Sequence, residues 1–205
     1  MIKAKRNASN HHKAADALDW DEAMSLIRRL REDGKSRDAM LIASGCFLGL
    51  RISDLLHLRW KHLFDDKVVL EEKKTGKERI LRVNPKLKQL ASECLCELEV
   101  EDTAEFIFGS RKYGHYSPMT RQMAFKILKN CKNTYKIKSA DTFSTHSLRK
   151  TFGRRVWQQE CDKGRGDQAL LLLQDVFGHS SVAITKRYLG IRQDEILSVY
   201  DSLTS

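Results

Sequence analysis

Apolar residues recur every three or four positions along most of the chain, a spacing that predicts a mainly α-helical protein. The first helix is expected to start at Asp19, with Glu22 three residues on completing a capping box, and to end at Gly34. A second helix, at about 37–48, is apolar on most sides and is therefore expected at the centre of the fold. Later helices are expected over about 53–58, 85–98, 117–131, 146–157, 167–177, 180–188 and 194–203, with Ser53 and Ser180 as N-caps.

Two short segments, 68–70 and 80–83, favour β-strands, and the Lys-Thr-Gly-Lys turn at 74–77 between them predicts an antiparallel hairpin. The predicted fold class is therefore α+β, mainly α-helical, with a small antiparallel β-hairpin or sheet at one edge. The expected organisation is a basic, flexible lead-in over 1–17, one domain over 18–192 and a C-terminal helix over 193–205.

Composition narrows the class of partner. The chain has 205 residues, of which 41% are hydrophobic, enough for one sizeable core. Its net charge of +10 favours a polyanionic partner, with nucleic acid ahead of a membrane surface. Five cysteines without zinc-site spacing indicate a reducing compartment, and no stretch has the pattern of a signal peptide or a membrane span. We therefore expect a cytoplasmic protein that binds no membrane.

The side chains suited to chemistry lie in two separate stretches. Arg51 follows Gly-Leu in the first, LGLRISDLLHLRW; the second contains His146 and Arg149 three residues apart, then His179, then Tyr188 nine residues later. A guanidinium binds phosphate oxygens with a planar fork of donors, and an imidazole exchanges protons near neutral pH. A tyrosine hydroxyl can attack and form a covalent intermediate. This inventory suits metal-free phosphodiester transfer to tyrosine.

In this order the residues resemble the tyrosine recombinases, or phage-type integrases, whose pattern is Arg, Lys, His-x-x-Arg, His or Trp, and Tyr. The resemblance extends from about residue 39 to about residue 192 and implies a helical catalytic domain. The implied catalytic residues are Arg51, Lys74, His146, Arg149, His179 and Tyr188. Lys74 matches the position of the family's lysine in this turn. The neighbouring Lys73 and Lys77 would contact DNA backbone phosphates instead. For Arg51, the alternative is a structural pairing with Asp54 or a nearby carbonyl.

The resemblance also implies a function: site-specific DNA recombination of the integrase or invertase type, as in DNA integration by mobile elements. DNA would be cleaved and rejoined through a 3′-phosphotyrosyl link, without metal, ATP or any other cofactor. The two arginines would neutralise the phosphate oxygens, His179 would add a hydrogen bond to them, His146 would help proton movement at Tyr188, and Lys74 would protonate the departing 5′-hydroxyl. The implied partner is double-stranded DNA rather than a small molecule, with a homo-tetramer on DNA and a monomer alone.

Two other functions remain open: a type IB topoisomerase-like enzyme, and a DNA-binding regulator that keeps the fold without activity. Full-length integrases usually have an N-terminal core-binding domain, whereas about 18 residues precede the first predicted helix here. The chain is therefore interpreted as either an excised catalytic domain or a naturally short recombinase. Thirty residues separate Arg149 from His179, more than in many relatives, and we expect the extra residues in a loop at 161–166. The tail helix would dock on a neighbouring protomer or pack on its own subunit.

Overall fold

The structure, a computed structural model, describes residues 15–110 and 117–191. Within these ranges the helices are α1 Trp20–Glu32, α2 Ser36–Leu48, α3 Ile52–Leu55, α4 Pro85–Glu97, α5 Arg121–Tyr135, α6 Thr145–Cys161, α7 Gly166–Phe177 and α8 Val182–Leu189. A short 3-10 helix spans Trp60–Leu63, and the strands are β1 Val68–Glu71 and β2 Glu78–Leu81. The predicted α+β class, mainly α-helical with one small antiparallel hairpin, is confirmed.

Helix α2 lies at the centre of the main core. Consecutive residues such as Met40, Leu41 and Ile42 are all buried, which requires packing on every side of the helix. It contacts α1, α4 and α6. At Gly45 the contact with α6 is close, because a Cβ at that position would lie 2.7 Å from the Cβ of Leu148. The absent side chain therefore sets how deeply α6, the helix of His146 and Arg149, lies against the core.

A second, smaller core holds the C-terminal part of the described chain. Leu170, Leu173 and Phe177 of α7 pack with Leu189 and Ile191, next to the partly buried Phe152 of α6. Because α6 contacts both α7 and α8, this cluster fixes α8 and its Tyr188 against the helix of Arg149.

The hairpin is antiparallel, with Val68 paired to Leu81 and Glu71 paired to Glu78. Its turn is closed by backbone hydrogen bonds from Glu72 N to Lys77 O (2.9 Å) and from Gly76 N to Glu72 O (2.8 Å). This geometry places Lys74 in the turn, beyond the ends of both strands.

The predicted helix starts needed four corrections. The helix expected from residue 117 begins four residues later, at Arg121, after the N-cap Thr120. Asp19 does precede α1, but its side chain caps nothing, and Glu22 instead accepts hydrogen bonds from Lys138 N (2.8 Å) and Ser139 N (2.9 Å). The capping box was wrong because two backbone N–H groups of a distant loop bind the Glu22 carboxylate.

The other two corrections concern serine caps. Ser53 lies inside α3, whose N-cap is Arg51, because the Arg51 carbonyl accepts from both Asp54 N and Leu55 N at 2.9 Å. In α8 the cap is Ser181, not Ser180: its hydroxyl accepts a 3.3 Å bond from Ile184 N.

Some predicted segments lie outside the described ranges: residues 1–14 of the lead-in and the tail helix expected at 194–203. Within the described part, no helix has both the length and the apolar character needed to span a membrane.

Candidate active site

One cleft of about 610 Å³ is lined by all six residues that the sequence singled out. They come from five places: the N-cap of α3, the hairpin turn, the first turns of α6, the loop after α7, and α8. Residues far apart in the sequence therefore converge on one concave surface. The six are Arg51, Lys74, His146, Arg149, His179 and Tyr188.

The two arginines are fixed by the same backbone carbonyl. Arg149, only 5% exposed, donates from Nη2 to Phe177 O (3.0 Å) and from Nη1 to Gly49 O (2.6 Å). Arg51 donates from Nη2 to the same Phe177 oxygen, also at 3.0 Å. Phe177 is the last residue of α7, where the helix dipole places partial negative charge. The end of α7 therefore holds two guanidiniums side by side at the cleft.

Arg51 has a second partner in the hairpin. Its Nη1 lies 2.6 Å from Glu72 Oε2, and Glu72 Oε1 lies 3.6 Å from Nη1 of Arg79. Pairing of Arg51 with a carbonyl is thus seen, whereas pairing with Asp54 is not: the Asp54 carboxylate accepts from Lys73 N (3.0 Å) instead. Arg51 has these structural contacts and also lines the cleft.

Both cleft imidazoles are held in their neutral form near pH 7. Nδ1 of His179 shares a 3.0 Å hydrogen bond with the Thr185 hydroxyl, which fixes the ring and leaves Nε2 for a substrate. Burial lowers the pKa of His179, and the charges of Arg149 and Arg51 lower it further. Burial followed by the charge of Arg149 likewise lowers the pKa of His146. A neutral imidazole can accept a proton or donate a hydrogen bond.

The Tyr188 hydroxyl is buried beside the Arg149 guanidinium, with which it interacts without a well-aligned hydrogen bond. The Tyr188 ring lies edge-on to the rings of Phe177 and His179, with ring centroids 5.4 and 5.3 Å apart. Lys150 Nζ lies 5.3 Å from the centroid of the Tyr188 ring. Burial raises the pKa of the Tyr188 phenol, an effect that the charge of Arg149 opposes only in part. The hydroxyl is therefore protonated at neutral pH, and attack requires a base. A buried hydroxyl that forms no well-aligned hydrogen bond, beside cations in an open cleft, fits a substrate site.

Two lysines of the hairpin turn reach the cleft. Lys73 and Lys74 both line it, while Lys77 is not among the lining residues. The backbone of Lys73 is fixed by Asp54, and the exposed side chain of Lys74 extends from the turn. The geometry therefore places Lys73 and Lys74 at the cleft, and not Lys77.

Comparison with known proteins places this arrangement in a family. The model described as the phage integrase family matches residues 16–195. The chain belongs to the phage integrase family. Relatives of this family member include the probable integrase/recombinase YoeC of Bacillus subtilis (strain 168), 30% identical over 180 residues, 87% of this chain and 91% of that protein. Tyrosine recombinase XerC of Mesorhizobium japonicum is 27% identical over 98% of this chain and 62% of its own length. The chain thus spans less than two thirds of the XerC relative.

Solved structures agree on the fold of this integrase family member. The XerA recombinase superposes with a TM-score of 0.68 at 19% identity, covering 94% of this chain and 66% of that one. The XerH site-specific recombinase bound to its difH substrate gives a TM-score of 0.63 at 22% identity, covering 92% and 54%. At these identities the likeness establishes the recombinase catalytic-domain fold.

Sequence reasoning missed several residues at the cleft of this integrase family member. Glu72 forms ion pairs with both Arg51 and Arg79. Arg121, at the start of α5, lines the cleft together with Thr145. No local signal identified them, because charged residues in hairpins and first helical turns are common and usually solvated. Within the described ranges, no group of three or more His, Cys, Asp or Glu side chains is placed to hold a metal ion.

Proposed function

We propose that the chain is the catalytic domain of a site-specific DNA recombinase that cleaves and rejoins DNA through a phosphotyrosyl link at Tyr188. The observation that supports this most is that the Phe177 carbonyl holds Arg51 and Arg149 side by side. Both arginines line the same cleft as Tyr188. Relatives named tyrosine recombinases, XerC and XerD, support the same reaction.

The two guanidiniums would bind the scissile phosphate. A guanidinium has five N–H donors. Arg149 uses two on Gly49 and Phe177, so three remain for phosphate oxygens and the neighbouring Tyr188 hydroxyl. Because these bonds fix the group before substrate arrives, it needs little reorganisation as charge develops on the pentavalent phosphorus. His179, fixed by Thr185, would donate a further hydrogen bond to the same oxygens.

Proton movements complete the reaction. The neutral His146 would accept the Tyr188 proton, directly or through water, as the phenol oxygen bonds to phosphorus. The P–O5′ bond then breaks, and Lys74 would protonate the departing 5′-oxygen. The 3′-phosphotyrosyl link conserves the energy of the phosphodiester, so a 5′-hydroxyl from another duplex reverses the steps on a new partner.

Double-stranded DNA is the proposed substrate, consistent with the net charge of +10. We expect the domain to be a cytoplasmic monomer by itself, to bind DNA weakly and with strong salt dependence, and to assemble as a tetramer on recombination sites. One structural neighbour is a lambda integrase dimer bound to a COC′ core site.

The decisive experiment traps the covalent intermediate. The protein is incubated with sheared genomic DNA from its source organism and quenched in denaturant, and the DNA attached to protein is recovered and sequenced. We expect enrichment of one discrete sequence, from which nicked suicide substrates can be built. Tyr188→Phe should abolish the adduct. Tyr135→Phe is the matched control, because this tyrosine bonds Asp33 and Lys35 away from the cleft.

The result also separates the rival functions. A discrete adduct followed by strand exchange between two sites supports recombination. An adduct that relaxes supercoiled plasmid without exchanging partners indicates a topoisomerase. Sequence-specific binding with no adduct, on intact or nicked DNA, indicates a regulator and refutes the proposal.

A further inference from the structure

The Glu72 carboxylate is partly buried beside the proposed active site, yet the reaction outlined above assigns it no part. Its side chain is only 12% exposed and lies 2.6 Å from Arg51 and 3.6 Å from Arg79. The same oxygen that faces Arg51 also accepts a 2.9 Å hydrogen bond from the Thr75 hydroxyl. One carboxylate therefore contacts the hairpin turn and an arginine proposed to bind phosphate.

Glu72 is also the first residue of the turn that bears Lys74. Its carbonyl accepts from Gly76 N (2.8 Å) and Thr75 N (3.2 Å), and its N–H donates to Lys77 O (2.9 Å). The backbone of Glu72 thus closes the turn from one end. Because its side chain reaches Arg51 at the same time, any rotation of the turn relative to the cleft must stretch this ion pair.

The charges keep this connection in its ionised form. Burial alone would raise the pKa of Glu72, but the hydrogen bonds from Thr75 and Arg51 outweigh it, and the net effect is a lowered pKa. Arg51 in turn is bonded to the Phe177 carbonyl, which also binds Arg149. A continuous set of contacts therefore joins the Lys74 turn to both phosphate-binding guanidiniums.

A second contact is consistent with a fixed turn. The backbone N–H of Lys73 donates to Asp54 on α3. One hydrogen bond to the backbone leaves the turn free to pivot about that bond, whereas a second attachment at Glu72 removes the pivot. The turn is thus attached at two neighbouring residues, immediately before Lys74.

We propose that Glu72 is a positioning residue that holds the Lys74 turn against Arg51. The proposed acid, Lys74, thereby keeps a fixed position relative to the two arginines that would bind the phosphate. The inference rests on the proposed recombinase chemistry, with Lys74 as the acid. Glu72 touches no reacting atom; it acts through the position of Lys74. Small displacements of a reacting group cost on the order of 100-fold in rate.

A sulfur substitution tests this role separately from phosphate binding. In a suicide substrate whose 5′-bridging oxygen is replaced by sulfur, the leaving group is a thiolate, which needs no proton donor because thiols have a pKa of about 8.5 against about 16 for water. Single-turnover cleavage is measured for oxygen and sulfur substrates with wild type, Glu72→Ala, Glu72→Gln and Lys74→Ala. We expect Glu72→Ala to be slower on oxygen by about 10- to 100-fold, and within about threefold of wild type on sulfur.

The controls make each outcome decisive. Glu71→Gln changes the same charge on the adjacent, exposed residue and should leave both rates unchanged. Glu72→Gln keeps the shape and the Thr75 contact, and we expect a smaller oxygen-specific loss. Melting curves verify folding, and Glu72→Gln replaces Glu72→Ala if the latter does not fold. Equal slowing on both substrates, or no slowing on either, overturns the inference. Absence of adduct with wild type on both substrates overturns the recombinase proposal itself. Lys74→Ala that is not rescued by sulfur shows that Lys74 is not the acid and overturns the inference about Glu72.

Discussion

Replacing Arg149 with lysine tests whether a preorganised guanidinium, rather than positive charge alone, stabilises the transition state. Arg149 bridges Gly49 O on one side and Phe177 O on the other, and its three further N–H donors serve the substrate and the Tyr188 hydroxyl. An ammonium has three donors on a single nitrogen. It cannot reach two carbonyls on different elements and grip a phosphate as well.

The magnitude follows from these contacts. Loss of one preorganised donor of this kind costs about 100- to 1000-fold in cleavage rate, or about 3–4 kcal/mol. A buried carbonyl left without a donor costs roughly 1–3 kcal/mol of folding stability, which lowers Tm by about 2–4 °C per kcal/mol in a domain of this size. We therefore expect Arg149→Lys to lose both cleavage and stability, with the rate loss persisting at saturating DNA.

The assay is single-turnover cleavage of the suicide substrate at several DNA concentrations, with thermal melting of the same samples. Arg28→Lys is the matched control, since the Arg28 side chain is 72% exposed and forms an i,i+4 pair with Glu32 away from the cleft. A rate within about fivefold of wild type, equivalent to about 1 kcal/mol, together with an unchanged Tm would refute the reasoning. Charge alone would then be enough at this position.

Two further predictions concern the supports of the site. Gly49→Ala should lower the free energy of unfolding by about 2–4 kcal/mol in a denaturant titration, because Gly49 has φ +57° and an added Cβ would lie 2.3 Å from Phe152 Cδ1. Cleavage should slow as well. An unchanged titration curve would contradict the prediction. If neutral His146 takes the Tyr188 proton, cleavage should fall as pH drops through a midpoint below 6.5, since burial lowers the pKa of His146. Rates measured between about pH 5 and 8 test this, and the acidic fall should be absent in His146→Asn.

The helices were predictable because their signals are local. The apolar run of α2 required a central position whatever the rest of the chain does, and Met40, Leu41 and Ile42 are indeed all buried. The hairpin followed from two short strands and a glycine-containing turn, and Gly76 does adopt φ +66° there. The family resemblance depended on the order of the candidate residues in the chain, which is also visible in the sequence alone.

The partners of charged side chains were not predictable, since they depend on which distant segments meet. Glu22 matched the spacing of a capping box, but residues 138 and 139, more than a hundred positions later, bind its carboxylate. Glu72 lies in a run of charged residues typical of an exposed turn, yet Arg51 and Arg79 enclose it. Spacing rules describe neighbours on one element, so they miss ion pairs formed between elements.

The electrostatics of the cleft give a physical reason for expecting an anionic substrate. Burial lowers the pKa of Arg149 to about 10, and the nearby charges of Arg79 and Arg51 add to the effect. A lowered folded-state pKa for a cation means that folding disfavours its charge, by roughly 3 kcal/mol for a shift of this size, at every pH below that pKa. Among the described residues, the Glu72 carboxylate is shared between Arg51 and Arg79, and Asp54 adds a second negative charge near Arg79. A bound phosphate would supply further negative charge next to Arg149, so the cost of gathering these cations in the folded protein would become binding energy for the phosphate that we propose Tyr188 attacks.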